Sequence, residues 1–450
     1  MLLDFNNTQI KITCQQYICT EFRFENNSTE LWMDFKSQQD TKDVCCEYCG
    51  NNDVEIHDNY TTKLTDMPIW SGIRQFLTVT YHKYKCRHCN KVFNEDICFK
   101  DPDARVTTRA AVWAKDLLKH GICINSVSKL TGINWAALNT IHMRVMEDTL
   151  DNRNQYLKTI GYKPTYLAVD EFAIHKGHTY ASCVMDLETG EVLWVGKGRG
   201  IEDFREFFLQ TDLDYLSNVK AFAMDMNASY NRLVEEYLPN TKIVYDRYHM
   251  QAQFGKEVLG SVRLEEARKH KDKAETIRRA ITSDTDIETK RLLKAQAKDE
   301  SRLYSKIKNA RWTVLANSNH LTDTKKEALE QILAEHNDLA VCYAMKEEMC
   351  DLFDISDPEI ARIRWNQWFK AAEESGIPQL IKFAELKEKR IEGLIAHASY
   401  PISTGKLEGL NNKIKVAKRV GYGYRDDNYF FTLVRYISLP ANFIVIPQKM

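Results

Sequence analysis

The 450-residue sequence contains no apolar run near the ~20 residues that a membrane-crossing helix requires. It also lacks the basic-then-apolar pattern of a secretory signal, since "MLLDFNNTQIKITC" brings in an acid at Asp4. Neither export nor membrane insertion is expected, and a cytoplasmic location is. Internal repeats and low-complexity tracts are missing too, so a repeat array or a tail-like linker is not expected. Net charge is almost absent: 62 Lys and Arg against 63 Asp and Glu leave −1. Taken as an average, that balance argues against a nucleic-acid partner.

The average conceals an asymmetry. Residues 1–60 are acidic, whereas 104–145, 255–311 and 405–425 each carry an excess of Lys and Arg. Local patches of that kind hold phosphate without making a whole chain basic. Hydrophobic content of 44% with 11% aromatics is ordinary for globular material, and the length suits three or four domains. The 12 cysteines cluster unevenly. In a cytosolic chain they are expected as metal ligands or buried hydrophobes rather than disulfides.

Cys46-x-x-Cys49 and Cys86-x-x-Cys89 carry the strongest signal. Each pair forms a knuckle placing two thiolates on one side of a turn, and two knuckles supply the closed tetrahedral set that structural Zn²⁺ takes. Cys45 competes with Cys46 for the first position, and His88 less strongly with Cys89. Cys14, Cys19 and Cys98 are expected in cores. Downstream, "INSVSKLTGINWAALNTIHMRV" places a small residue at Ser128, glycine at Gly132, and apolar Ile133 and Leu138 behind a second helix. That is the pattern of a helix-turn-helix, with Asn134, Trp135, Asn139 and Arg144 as its DNA-facing candidates.

From Pro164 the pattern becomes three strand candidates, then helix, strand, helix and strand: a mixed sheet flanked by helices. Residues 251–400 read as almost wholly helical and heavily charged. Asp170 ends the apolar strand "YLAV" and Asp225 ends "AFAM". Carboxylates at the ends of buried strands stand where such sheets present ligands, although Asp225 could equally cap the next helix and Asp170 begin a turn. "TGKLEGLNNKIKVAKR" then sets Glu408 among Lys406, Lys413, Lys415, Lys418 and Arg419. On a helix Glu408 shares a face with Asn412 and Lys415. Three acids can hold two Mg²⁺ (or Mn²⁺), hard cations that favour oxygen and assist in-line phosphoryl transfer.

The motifs "AVDEFA", "MDMNASY", "YDRYH" and "TGKLEGLNNKIKVAKRVGYGYR" resemble those of bacterial insertion-sequence transposases of the ISL-three group, within the acidic-triad, RNase H-like transposases. The resemblance implies Asp170, Asp225 and Glu408 as the triad, Lys415 as the lysine seven residues after the glutamate, and Asp246 and His249 as an auxiliary pair. Asp246 would then fix the His249 tautomer. It implies that the chain binds double-stranded DNA at transposon ends and target, frees a 3′-hydroxyl by hydrolysis and joins that hydroxyl to target DNA. A homodimer in the cytoplasm, near the nucleoid, is expected. Its domains would be 1–103 (zinc ribbon about 44–95), 104–160 (helix-turn-helix), 161–255 (first part of the core), 256–398 (helical insertion) and 399–450 (the Glu408 helix). Trp312 in the insertion is expected to be buried. The competing functions are a zinc-ribbon DNA-binding regulator without catalysis, and a metal nuclease that cuts without joining.

Overall fold

The structure, a computed structural model, describes residues 16–68, 72–175, 179–283, 285–316, 321–421 and 423–440. It is a mixed α/β protein with two mixed sheets and many helices. The chain divides into two compact units, one of residues 1–161 with 413–450, the other Tyr162–Asn412. No helix among the described residues is long and apolar enough to cross a membrane.

In the first unit, β1 (Tyr17–Glu25) and β2 (Glu30–Ser37) form a hairpin turned at Asn26, Asn27 and Ser28, all with positive φ. β3 (Val54–Asp66), β4 (Arg74–Cys86) and β5 (Val92–Asn94) complete the sheet in the order β1-β2-β4-β3, with β5 on β4. Alternation decides its faces: Leu31, Met33, Phe35, Leu64, Leu77 and Val79 are buried together. Each such side chain contributes about 1.5–3 kcal/mol. Cys19 is exposed on the edge strand β1, and Cys98 is exposed and disulfide-bonded, so neither is a core residue. Cys14 lies outside the described residues.

Three helices follow: α1 (Thr108–Lys119), α2 (Ile124–Thr131) and α3 (Trp135–Thr159). Their apolar faces meet at Ala110, Ala114, Val127, Ile133, Leu138 and Ile141. Gly132 ends α2 with φ +74°, a conformation that favours glycine, and Ser128 Oγ donates to Ile133 O (2.7 Å), fastening the turn. Buried Asp66 of β3 accepts from Thr107 Oγ1, Gln75 Nε2 and the Arg109 guanidinium, which ties the sheet to the start of α1.

In the second unit, β6 (Tyr166–His175), β7 (Thr179–Asp186) and β8 (Val192–Lys197) make an antiparallel meander. α4 (Ile201–Gln210), β9 (Ala221–Met224), α5 (Ala228–Tyr237) and β10 (Lys242–Tyr245) follow in β-α-β alternation. The sheet order is β10-β9-β6-β7-β8, and both β6–β9 and β9–β10 are parallel. The segment "TKIVYDRYHM" reads as strand, yet β10 stops at Tyr245. Asp246 Oδ1 accepts the His249 N–H and so starts a helix, α6 (Arg247–Phe254).

α6 runs through a π-helical turn (Gly255–Leu259) into α7 (Gly260–Arg279), which pairs with α8 (Ile287–Asn309). α9 (Arg311–Leu315), α10 (Asp323–Glu335), α11 (Asn337–Leu352), α12 (Pro358–Glu374), α13 (Pro378–Glu388) and α14 (Ile391–Ser399) pack on the same core through Trp365, Trp368, Phe369 and Phe383. Trp312 on α9 is 75% exposed, which corrects the expectation of burial: the short helix buries Val314 instead. α15 (Gly405–Val420) and α16 (Asp427–Ser438) are the last helices among the described residues. Within the first unit α16 lies on α3, where Nδ1 of buried His142 meets Tyr429 Oη at 2.7 Å.

Candidate active site and metal centre

The thiols come first because their geometry is closed. Cys46, Cys49, Cys86 and Cys89 bring their Sγ atoms within 4.8 Å of one another. Tetrahedral zinc at ~2.3 Å from each sulfur requires S···S edges of about 3.8 Å. The Cys46–Cys89 and Cys49–Cys86 pairs stand at 3.6 and 3.7 Å, so the donor set fits Zn²⁺. Two similar turns build it. Gly50 N donates to Cys46 O (2.8 Å) and Asn90 N to Cys86 O (3.0 Å), and both Gly50 and Asn90 adopt positive φ. The β3–β4 register, pairing Val54 with Cys86, brings the second turn beside the first. Cys46 is thus in the cluster and Cys45 outside it, as are Cys89 and His88 respectively.

The carboxylates are placed by register. β6 pairs with β9 at Ala168–Ala223, and β9 with β10 at Met224–Tyr245. Continuing the registers past the ends of β9 and β10 sets Asp225 and Asp246 level with Asp170, which does not end its strand as expected: β6 runs on to His175 and pairs Asp170 with Cys183 of β7. Asp170 is mostly buried, and its Oδ1 accepts Glu171 N (2.8 Å). His249 Nε2 lies 3.9 Å from Oδ1, and Asn411 Nδ2 donates to Oδ2 at 3.0 Å. Burial raises the Asp170 pKa above the usual carboxylate range, and the charge of Asp225 raises it further, against the lowering by Glu171 N–H, His249 and Asn411. Asp225 Oδ1 accepts Asn227 N (2.9 Å). A cavity of about 290 Å³ opens here, lined among others by Asp225, Asn227, Glu171, Arg199, Asp246 and His249.

Asp246 differs from its two neighbours. It is buried, with Oδ1 on the His249 backbone N–H (3.1 Å) and Oδ2 accepting both the N–H and the hydroxyl of Thr404 (2.8 and 2.9 Å). Its oxygens are occupied by the starts of α6 and α15, and it holds the His249 main chain rather than the ring. Glu408 follows Thr404 by four residues and is exposed. Asn411, one turn later, is the α15 side chain that reaches Asp170; Asn412 is exposed. The buried stripe Leu407, Leu410 and Ile414 sets this rotation, bringing Asn411 to the stripe's edge and turning Asn412 outward. Sequence reasoning chose Asn412 and missed Asn411, whose signal was its place between Leu407 and Ile414. It also missed Glu171, which accepts from Tyr230 Oη (2.9 Å) and Asn227 Nδ2 (3.4 Å).

The structure therefore brings together Asp170, Asp225, His249 and α15. The three carboxylates Asp170, Asp225 and Glu408 do not form a ligand cluster as tight as that of the cysteines. Two half-buried carboxylates side by side, with Asn411 Oδ1 buried and lacking a hydrogen-bond partner, are a donor set of hard oxygens that fits Mg²⁺. Of the other candidates, Asn134 caps α3 through Ala137 N (2.8 Å). Arg144 is paired with Asp101 and Asp103, whereas Trp135 is 55% exposed and Asn139 half-buried. Lys413, Lys415 and Arg419 are exposed on α15, and partial burial lowers the Lys418 pKa.

Asp170, within β6, and Asp225, just past the end of β9, thus stand level on neighbouring parallel strands of an α/β unit. The comparison with known families is specific: a transposase family matches residues 167–434. The chain is 32% identical over 401 residues to the transposase for insertion sequence element IS1001 of Bordetella parapertussis, covering 89% of this chain and 90% of that protein. It is 22% identical over 310 residues to the transposase for IS1557 of Mycobacterium tuberculosis, covering 68% and 66%. The chain belongs to the ISL3 family of insertion-sequence transposases. Such enzymes cleave DNA and transfer strands, which disfavours both a non-catalytic regulator and a simple nuclease.

Proposed function

We propose that the second unit is an RNase H-like catalytic core in which Asp170, Asp225 and Glu408 hold two Mg²⁺ ions (or Mn²⁺) for cleavage at the element's ends and strand transfer into target DNA. The observation that carries this is the register setting Asp170 level with Asp225 while Asn411 of the Glu408 helix bonds Asp170. The strand order, an antiparallel meander extended by two parallel strands, supports the RNase H-like assignment. Bound Mg²⁺ would supply Lewis acidity at the attacking and leaving oxygens.

The protein's own groups set the stage for that chemistry. Asp170 and Asp225 offer their oxygens from a rigid sheet edge. Thr404 and Asp246 fix the start of α15, Asn411 orients the Asp170 carboxylate, and His249 lies where it can donate to a phosphate oxygen. Lys415, with Lys413, Lys418 and Arg419, grips the DNA backbone. α2 and α3 serve as a helix-turn-helix for the element's ends, read through Trp135 and Asn139. Asn134 and Arg144 contribute there by shaping the helix, since both are engaged within the protein. The zinc cluster stiffens the ribbon at about 44–95. A homodimer brings two ends together.

Purified protein, a duplex carrying the terminal repeat, and Mg²⁺ should give cleavage at the repeat end and joining to a second duplex. Cleavage without joining would leave only a nuclease, and binding without either reaction only a regulator.

A further inference from the structure

The α7–α8 hairpin belongs to the helical region for which the sequence motifs assign no role, and its two helices treat charge differently. On α7, Lys269 pairs with Glu266, Lys271 and Arg279 pair with Glu275, and Arg263 bonds the carbonyls of Ile307 and Lys308. Arg278 donates to Ser301 Oγ, and among the α7 cations only Arg268 and Lys273 have no such partner among the described residues. On α8, Arg291, Lys294, Lys298, Arg302 and Lys306 recur at spacings of three and four residues and are all exposed. At 100° per residue they occupy one outward face, opposite the side that buries Ala297 and Ile307. Among the described residues none of the five enters an ion pair. Like charges three and four apart repel and destabilise a helix by themselves, so the face carries a standing cost that a polyanion would relieve.

We propose that this face of α8 is a clamp for the phosphate backbone of double-stranded DNA. From Arg291 to Lys306 the row is about 22 Å long at 1.5 Å per residue. Duplex DNA presents a phosphate every 3.4 Å of axis along each strand, so a row of this length meets several. No aromatic side chain stands among the five. Tyr304 is half-buried on the inward side, and exposed Trp312 lies on α9 beyond the row, so bases find no run of stacking platforms along it and duplex rather than single-stranded nucleic acid is the partner it fits. α7 continues, through the π-helical turn, the helix that Asp246 starts at the catalytic sheet. The hairpin is thus rooted on the element that carries His249.

The inference rests on the DNA transposase assignment, and one titration separates the two. Full-length protein and a variant with R291Q, K294Q, K298Q, R302Q and K306Q are titrated with a duplex carrying the element's end, an unrelated duplex and an unrelated single strand, across a range of salt. The unaltered protein should bind duplex with a steep salt dependence; failure at that step would undermine the DNA assignment itself. The variant should lose on the order of 10- to 100-fold in affinity for both duplexes alike, with the slope of log K against log[salt] shallower by roughly 2–4, since each lost phosphate contact removes about 0.9. Zinc content and helicity should not change, because Gln is a good helix former. The charge-reversed pair R302E/K306E should weaken duplex binding further at low salt. Unchanged affinity and slope in both variants would overturn the clamp, and so would a loss confined to the single strand.

Discussion

The thiols of Cys46, Cys49, Cys86 and Cys89 converge at spacings that a tetrahedral zinc site requires. The carboxylates of Asp170 and Asp225 stand level on neighbouring strands, and Glu408 remains exposed on α15. One site is closed by local turns and a single hairpin register. The other is assembled from a sheet edge and a helix that follows a long insertion. Their assembly explains the contrast. Two short turns and one strand register fix the four sulfurs, so the closed site is decided within residues 46–90. Neighbouring carboxylates repel and resist desolvation, so bringing them together takes partners from elsewhere in the chain, such as Asn411 on Asp170.

The largest effect should come from breaking the open site. Glu408→Gln is expected to lower strand transfer by at least ~10³-fold while duplex binding, followed by gel retardation, stays intact. Retained cleavage would remove Glu408 from the triad. Breaking the closed site should act elsewhere: Cys46→Ser or Cys89→Ser should release zinc and weaken binding to the element's end. Cys45→Ser should keep the metal, as read by elemental analysis. Zinc retained after the loss of Cys46 would mean that Cys45 substitutes for it and that the cluster is less selective than its geometry indicates.

Asn411 sharpens the comparison, since it is a positioning residue acting through Asp170. Asn411→Ala should lower the strand-transfer rate by roughly 10- to 100-fold and raise the Mg²⁺ concentration needed for half-maximal rate. Asn412→Ala should change the rate by less than about threefold. Equal effects from both would place the rotation of α15 in error.

The smallest effect concerns stability. The folded-state pKa of Asp170 is raised, so its contribution to stability is fully present below the ordinary carboxylate pKa and is lost as pH rises through the folded value. Above that folded value, and without divalent metal, the ionised group works against the fold. Asp170→Asn should therefore raise the melting temperature in chelator by a few degrees, about 1–4 °C, and Mg²⁺ should stabilise the native protein but not the variant. A variant that melts lower in chelator would show that the carboxylate is already compensated within the protein.

Legibility in the sequence followed the distance over which each feature is decided. The cysteine knuckles, the strand end before Asp225 and the glycine turn at Gly132 are set by a few neighbouring residues, and each could be read from its own segment. Asp170 reads as a strand end, but pairing with β7 carries β6 on to His175. Asn411 could not, because the rotation of α15 depends on which of Leu407, Leu410 and Ile414 find a core. Arg144 resembled a DNA contact until Asp101 and Asp103, far earlier in the chain, were seen to hold it. Asp246 resembled a partner for the His249 ring, whereas Thr404, from the far side of the insertion, takes one of its oxygens. In the insertion, composition gave the excess of positive charge, but only the ion pairs of α7 showed that the continuous unpaired row lies on α8.

Counting bound Mn²⁺ by electron paramagnetic resonance, with the zinc-loaded protein on a duplex of the element's end, addresses the oxygen site most directly. Native protein should take up about two Mn²⁺ per chain, and Asp170→Asn, Asp225→Asn and Glu408→Gln should each lose uptake with zinc and DNA retained. Undiminished uptake in all three variants would contradict a two-cation site built from these side chains.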